Sequence, residues 1–267
     1  MLNRYSKVIA HGRRALVAAA LLALTAPVAQ AQLVVYDDFT APRIDASKWV
    51  GKQLQTRSGG SGDLLEVQRE VTAAQALVLQ ARAVGGKGVD GGVFTAENAL
   101  LLRHAGVVND IAFDVLVKRA ETAGCGTASA SQASARGVFT LFNDGEADVI
   151  AIVEVGSSSM TAAGGLAVSA SLVRRTADAD SVLASLSLGA ANLGDQIKLR
   201  VRWDAAKNQV RFLRDGQVAG AADYTNPVVS AAGRPKYLSV LTSVADCGSS
   251  QSGAAILAQF DNVRINQ

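Results

Sequence analysis

Beyond residue 32 or so, apolar and polar positions alternate with period two along most of this chain. The clearest run is Ile197-Lys198-Leu199-Arg200-Val201-Arg202-Trp203. Successive side chains of a strand point to opposite faces. This run therefore places Ile197, Leu199, Val201 and Trp203 on one side and Lys198, Arg200 and Arg202 on the other. Asp204 to Gln209 then read as a polar turn, Val210 and Phe212 resume the inward face of a second strand, and Asp215-Gly216 closes that strand as a tight turn. The same reasoning predicts strands over Leu64 to Gln68, Leu77 to Arg82, Ile111 to Lys118, Val138 to Phe142, Val149 to Val155, Leu166 to Arg174, Val182 to Leu188, Tyr237 to Val244 and Ile256 to Ile265. Clusters of Gly, Asn, Asp or Ser separate most of them. Thr95 to His104 fits a short helix or another strand, and periodicity does not choose. So many short strands with one helical candidate favour an all-β, two-sheet antiparallel sandwich over any α/β arrangement.

The first 31 residues follow a different pattern. Arg4, Lys7, Arg13 and Arg14 make a positive region without acids, Ala15 to Leu24 is apolar, and Ala29-Gln30-Ala31 is a small-x-small cleavage site. This is the layout of an export signal, with cleavage expected before Gln32. The apolar run is shorter than the ~20 residues that span a bilayer, so no membrane span is expected. Arg13-Arg14 raises twin-arginine export, although the flanking residues match that motif poorly. The expected destination is secreted or periplasmic.

Removing this segment changes the charge balance. It holds four of the 26 basic residues and none of the 23 acidic ones, which leaves 22 basic against 23 acidic residues and a net charge of −1. That balance, with few aromatic residues, excludes the basic footprint of a nucleic-acid-binding protein. The remaining 236 residues contain no linker, charge block or fixed-period repeat and suit one sandwich domain over residues 32–267.

Candidate chemistry is sparse. Cys125 and Cys247 both lie in Gly/Ser-rich stretches, and an even pair in an exported chain is expected to form a bridge. Closing that loop would stabilise the fold by ~4.7 kcal/mol in the chain-entropy model, less any strain. His104 is the one histidine beyond the leader, and no Gly-x-Ser-x-Gly elbow or zinc-ligand cluster accompanies it. Trp49 and Trp203 read as core residues. Tyr224, in Ala-Asp-Tyr-Thr-Asn-Pro, is the candidate exposed aromatic for stacking on a sugar. Lys198, Arg200, Arg202 and Arg211 form a second candidate, a cationic face suited to carboxylate or sulfate groups of an acidic polysaccharide. The alternative for that face is an ordinary solvated sheet surface, partly balanced by Asp195 and Asp204.

The ends of the chain carry a family likeness. Val34-Val35-Tyr36-Asp37-Asp38-Phe39 with Lys48-Trp49 near the start, and Gln259-Phe260-Asp261-Asn262-Val263-Arg264-Ile265 at the close, resemble the first and last strands of the concanavalin A-like lectin/glucanase superfamily. Ile197 to Gly216 resembles the paired strands of its laminin-G-like members. The resemblance implies a jelly roll whose terminal strands lie side by side. It also implies a structural Ca²⁺ on Asp261, with Asp38 as a weaker partner, since carboxylate and carbonyl oxygens suit that ion; no other cofactor is expected. Glycanases of the superfamily carry a Glu-x-Asp-x-Glu strand. Here the nearest run is Asp144-Gly145-Glu146-Ala147-Asp148, preceded by Phe142-Asn143, which reads as a solvated hairpin turn. Glu154 has no acidic partner at i+2 or i+4, and the Tyr-Phe-Lys-Ala-Gly string of jelly-roll alginate lyases is absent. The expected function is therefore a non-catalytic glycan-binding or cell-surface-associated lectin-like module, with a polysaccharide or cell-surface glycan as its partner. The alternatives are a hydrolase or lyase with an unrecognised acidic site, and a structural or adhesion protein without a small ligand.

Overall fold

A computed structural model describes residues 32–58, 64–85, 94–124, 130–159, 165–244 and 252–266. Sixteen strands follow one another: β1 (Leu33–Asp37), β2 (Trp49–Val50), β3 (Leu54–Ser58), β4 (Leu64–Val71), β5 (Leu77–Val84), β6 (Phe94–Leu102), β7 (Asp110–Ala123), β8 (Gln132–Asn143), β9 (Asp148–Ser158), β10 (Gly165–Arg175), β11 (Asp180–Asn192), β12 (Gln196–Asp204), β13 (Gln209–Arg214), β14 (Gln217–Asp223), β15 (Lys236–Val244) and β16 (Gly253–Asn266). All of them belong to one compact unit, Ala31–Gln267. Each strand expected from periodicity is present, and the ambiguous Thr95 to His104 segment lies largely in β6.

The strands form two antiparallel sheets, the two-layer jelly roll expected. One sheet runs β14-β13-β12-β7-β16-β5-β4-β3, with β1 added beside β16; the other runs β11-β10-β9-β8-β15-β6-β2. The chain ends pair as the terminal motifs imply, with Val34 opposite Ile265 and Asp37 opposite Val263. β16 pairs with β5 over its first half and with β1 over its second. The change of partner coincides with a break in its ladder with β7 between Asp261 and Arg264, where Asn262 is left-handed at φ 50°. Asp37 fastens this corner by accepting hydrogen bonds from Trp49 Nε1 at 2.6 Å and the Phe39 amide at 3.1 Å.

Alternation decides what each sheet buries. β12 turns Ile197, Leu199, Val201 and Trp203 inward, and β13 adds Val210 and Phe212, as the period predicts. Small inward residues make room for the few large ones. A Cβ on Gly137 would stand 2.5 Å from Phe139 and 2.6 Å from Phe113, so glycine there lets those rings pack edge to face with centroids 6.1 Å apart. Asp215-Gly216 is the expected tight turn, with both residues at positive φ (51° and 83°), which is what a two-residue hairpin requires.

Candidate functional site

The four predicted cations do share a face. Arg202 lies opposite Arg211 on β13, and Lys198, Arg200 and Arg202 lie opposite Asp114, Ala112 and Asp110 on β7. The strand that supplies acids here was not the one expected. Arg200 makes a two-pronged bond to Asp110, Nε to Oδ1 at 2.6 Å and Nη2 to Oδ2 at 2.5 Å, and Asp110 is only 4% exposed. Arg202 stands 3.8 Å from the same carboxylate, and Arg211 donates to Gln209 at 2.7 Å. Asp204 instead pairs with Lys207, and Asp195 accepts from the Asn192 amide. Lys198 lines a cleft of about 380 Å³ with Asp114, Gln196, Asp215 and Gly216, so it too sits among acids. The stripe is an internally compensated surface.

Tyr224 is corrected from an exposed platform to a core residue. It is 5% exposed, its ring lies 4.9 Å from that of Phe142, and its hydroxyl accepts the Trp203 indole N–H at 2.7 Å. Burial pushes its own pKa upward. The Trp203-Asp204 strand end creates an indole donor that needs a buried acceptor, and Tyr224 supplies it.

Asp144 to Asp148 do form a turn, solvent-exposed at Gly145 and Glu146 as expected but anchored on a buried Asp144. The Asp144 side chain is 2% exposed and accepts from Arg174 Nε at 2.6 Å, Asn226 Nδ2 at 2.9 Å and the amides of Glu146 and Ala147 at 3.1 and 2.8 Å. The Arg174 bond holds this carboxyl well below the usual carboxylate range. Every oxygen is engaged in holding the turn.

A polar centre that sequence spacing missed lies on the outer face of the seven-stranded sheet. Arg136 on β8 lies opposite Glu154 on β9 and Ser239 on β15, while Glu97 comes from β6 two strands away. Arg136 turns from Glu154 to Glu97, reaching it at 2.8 Å, and Ser239 donates to the same Glu97 oxygen at 2.9 Å. Glu154 is left with Ser169 Oγ at 3.1 Å and no cation within 4 Å among the described residues. Gln132, Ser134, Glu154, Gly156, Ala167 and Ser169, with neighbouring serines, line a cleft of about 180 Å³ here. Tyr237 shares the face, its pKa raised by burial and then by Glu97. The only legible signal was Glu154, an acid on an apolar strand. Its surroundings come from four other strands: β8 and β10 flank β9 in sequence, whereas β6 and β15 are far from it.

Asp261 on β16 is directly opposite Asp114 on β7. Burial first, then the charges of Asp114, Asp38 and Asp37, push its pKa up. Asp38 accepts from Thr40 Oγ1 at 2.8 Å, which lowers its own pKa. Among the described residues no three His, Cys, Asp or Glu side chains are grouped to hold a metal. His104 is exposed. Cys125 and Cys247 lie outside the described residues; the strands that end nearest them, β7 at Ala123 and β15 at Val244, belong to different sheets. No helix among the described residues is long and apolar enough to cross a membrane.

No family model matches the sequence, and no curated protein does either. Among solved structures, the chain is similar to a Bacillus licheniformis β-glucanase (12% identity, 86% of this chain and 96% of that one, TM-score 0.45). It is similar to the κ-carrageenase of Pseudoalteromonas carrageenovora, solved with an oligotetrasaccharide of κ-carrageenan (12%, 89% and 99%, TM-score 0.37). It is also similar to the carbohydrate recognition domain of Emp47p (11%, 86% and 96%, TM-score 0.39). The fold of this chain is an all-β sandwich of two antiparallel sheets in a jelly-roll arrangement.

Proposed function

We propose that this chain is an exported, non-catalytic glycan-binding module and that it binds through the outer face of the seven-stranded sheet. The observation that carries the reading is the cleft around Glu154. It gathers hydroxyls, an amide and one carboxylate with a free oxygen, over a floor kept low by Gly156 and Ala167. Such a set can donate to and accept from the hydroxyls of a sugar without a metal or a large apolar pocket. Non-catalytic binding is favoured over hydrolysis by the spacing of the acids. At the backbone Glu97 and Glu154 are three strand steps apart, about 14 Å at ~4.8 Å per strand, and their carboxyl groups are held by different partners, Arg136 with Ser239 and Ser169 respectively, whereas the carboxyl groups of a retaining pair stand ~5–5.5 Å apart and those of an inverting pair ~6.5–9.5 Å.

The test is a glycan array with the mature protein, run beside a reducing-sugar assay on the glycans that bind. Binding without sugar release is expected. Replacing the exposed Ala167 by Trp should fill the cleft and abolish binding while the melting temperature stays within 2 °C or so, because an outward substitution usually costs within about 0.5 kcal/mol. Reducing sugar released in proportion to enzyme would overturn the non-catalytic reading, and undiminished binding by Ala167→Trp would move the site elsewhere.

A further inference from the structure

We infer that Glu154 is a charge filter: the cleft takes neutral, hydroxyl-rich glycans and rejects those bearing uronate or sulfate groups at the bound unit. The inference rests on the binding reading above. It goes further by naming the ligand class and the residue that sets it. Arg136, the cation placed directly opposite Glu154 in the β8–β9 ladder, is committed to Glu97 instead. Among the described residues that line the cleft, Glu154 is the one that carries a charge. One Glu154 oxygen accepts from Ser169, which holds the carboxylate over the cleft and leaves its other oxygen for a ligand donor. Adjacent sugar hydroxyls are such donors. A carboxylate or sulfate brought to the same place would set like charges together, which disfavours it against a neutral hydroxyl. The cationic residues suited to acidic glycans lie on the other sheet, where Asp110 and its neighbours already compensate them.

The experiment compares neutral oligosaccharides with uronate- or sulfate-bearing ones of the same length, at low and high salt, for the wild type and Glu154→Gln. The wild type should bind the neutral set at least about tenfold more tightly at low salt. The preference should narrow as salt screens the repulsion over ~10 Å or less. Glu154→Gln should lose most of the preference and most of its salt dependence, with Ser169 still paired to the amide oxygen. Equal wild-type affinity for acidic and neutral glycans would overturn the filter while leaving glycan binding in place. Absence of binding by either set would overturn both. A preference that survives Glu154→Gln unchanged would overturn the assignment to this residue, and if that variant fails to fold, the salt dependence of the wild type decides alone.

Discussion

Asp144→Asn isolates the charge that organises the β8–β9 turn. The substitution preserves shape, and the remaining carbonyl oxygen can still accept the Glu146 and Ala147 amides that Oδ1 holds at 3.1 and 2.8 Å. What it removes is the anion facing Arg174 Nε at 2.6 Å and Asn226 Nδ2 at 2.9 Å, and it turns an amide donor toward both. Breaking a fully buried pair costs ~3–5 kcal/mol. Arg174, however, is 25% exposed and keeps Glu146 at 3.0 Å, so the loss should be smaller, about 2–3 kcal/mol. At ~2–4 °C per kcal/mol for a chain of this size, the midpoint should fall by roughly 5–10 °C at pH 7 in a thermal melt followed by circular dichroism. The pH dependence has a definite sign. The folded-state pKa of Asp144 is depressed by Arg174, so its contribution is complete above the unfolded value of ~3.9 and fades as pH falls toward the folded one. The gap between wild type and variant should therefore be constant from pH 7 to about 5 and shrink below about 4. Equal melts at pH 7, or a gap that persists undiminished at pH 2, would refute the electrostatic account of this turn.

Arg200→Gln should cost about 2–3 kcal/mol in urea unfolding, because it strips a two-pronged partner from nearly buried Asp110, whereas exposed Lys198→Gln should cost under about 0.5; equal costs would show that Asp110 does not depend on Arg200. Tyr224→Phe leaves the Trp203 indole N–H buried without its acceptor and should destabilise by about 1–3 kcal/mol, with a shift in tryptophan fluorescence. If Asp261 takes Ca²⁺ with the early chain, calcium over chelator should raise the melting temperature of the wild type but not of Asp261→Asn, and identical melts would remove the ion from the account. Non-reducing mass spectrometry of the exported protein should find the Cys125 and Cys247 peptides linked, and two alkylatable thiols would disprove the bridge.

Local alternation sufficed for the strands, because a strand's faces are set by its own backbone. Ile197 to Trp203 therefore showed which residues face inward, and Asp215-Gly216 showed where the hairpin turns. The paired ends were legible too, since Tyr36-Asp37 and Phe260-Asp261 carry recognisable strand chemistry. What alternation does not contain is the neighbour across the ladder. Asp110 neutralises Arg200 from 90 positions away, Arg136 abandons Glu154 for a Glu97 delivered by β6, and Trp203 draws Tyr224 into the core. Asp144 looked solvated because a turn composition says nothing of Arg174 folding over it from β10. Strand order and register decided each of these, and they follow from how the whole chain buries its apolar faces. The periodicity of this sequence therefore determined its sheets, while the partners of its charges, and with them the candidate site, were decided only by the tertiary structure.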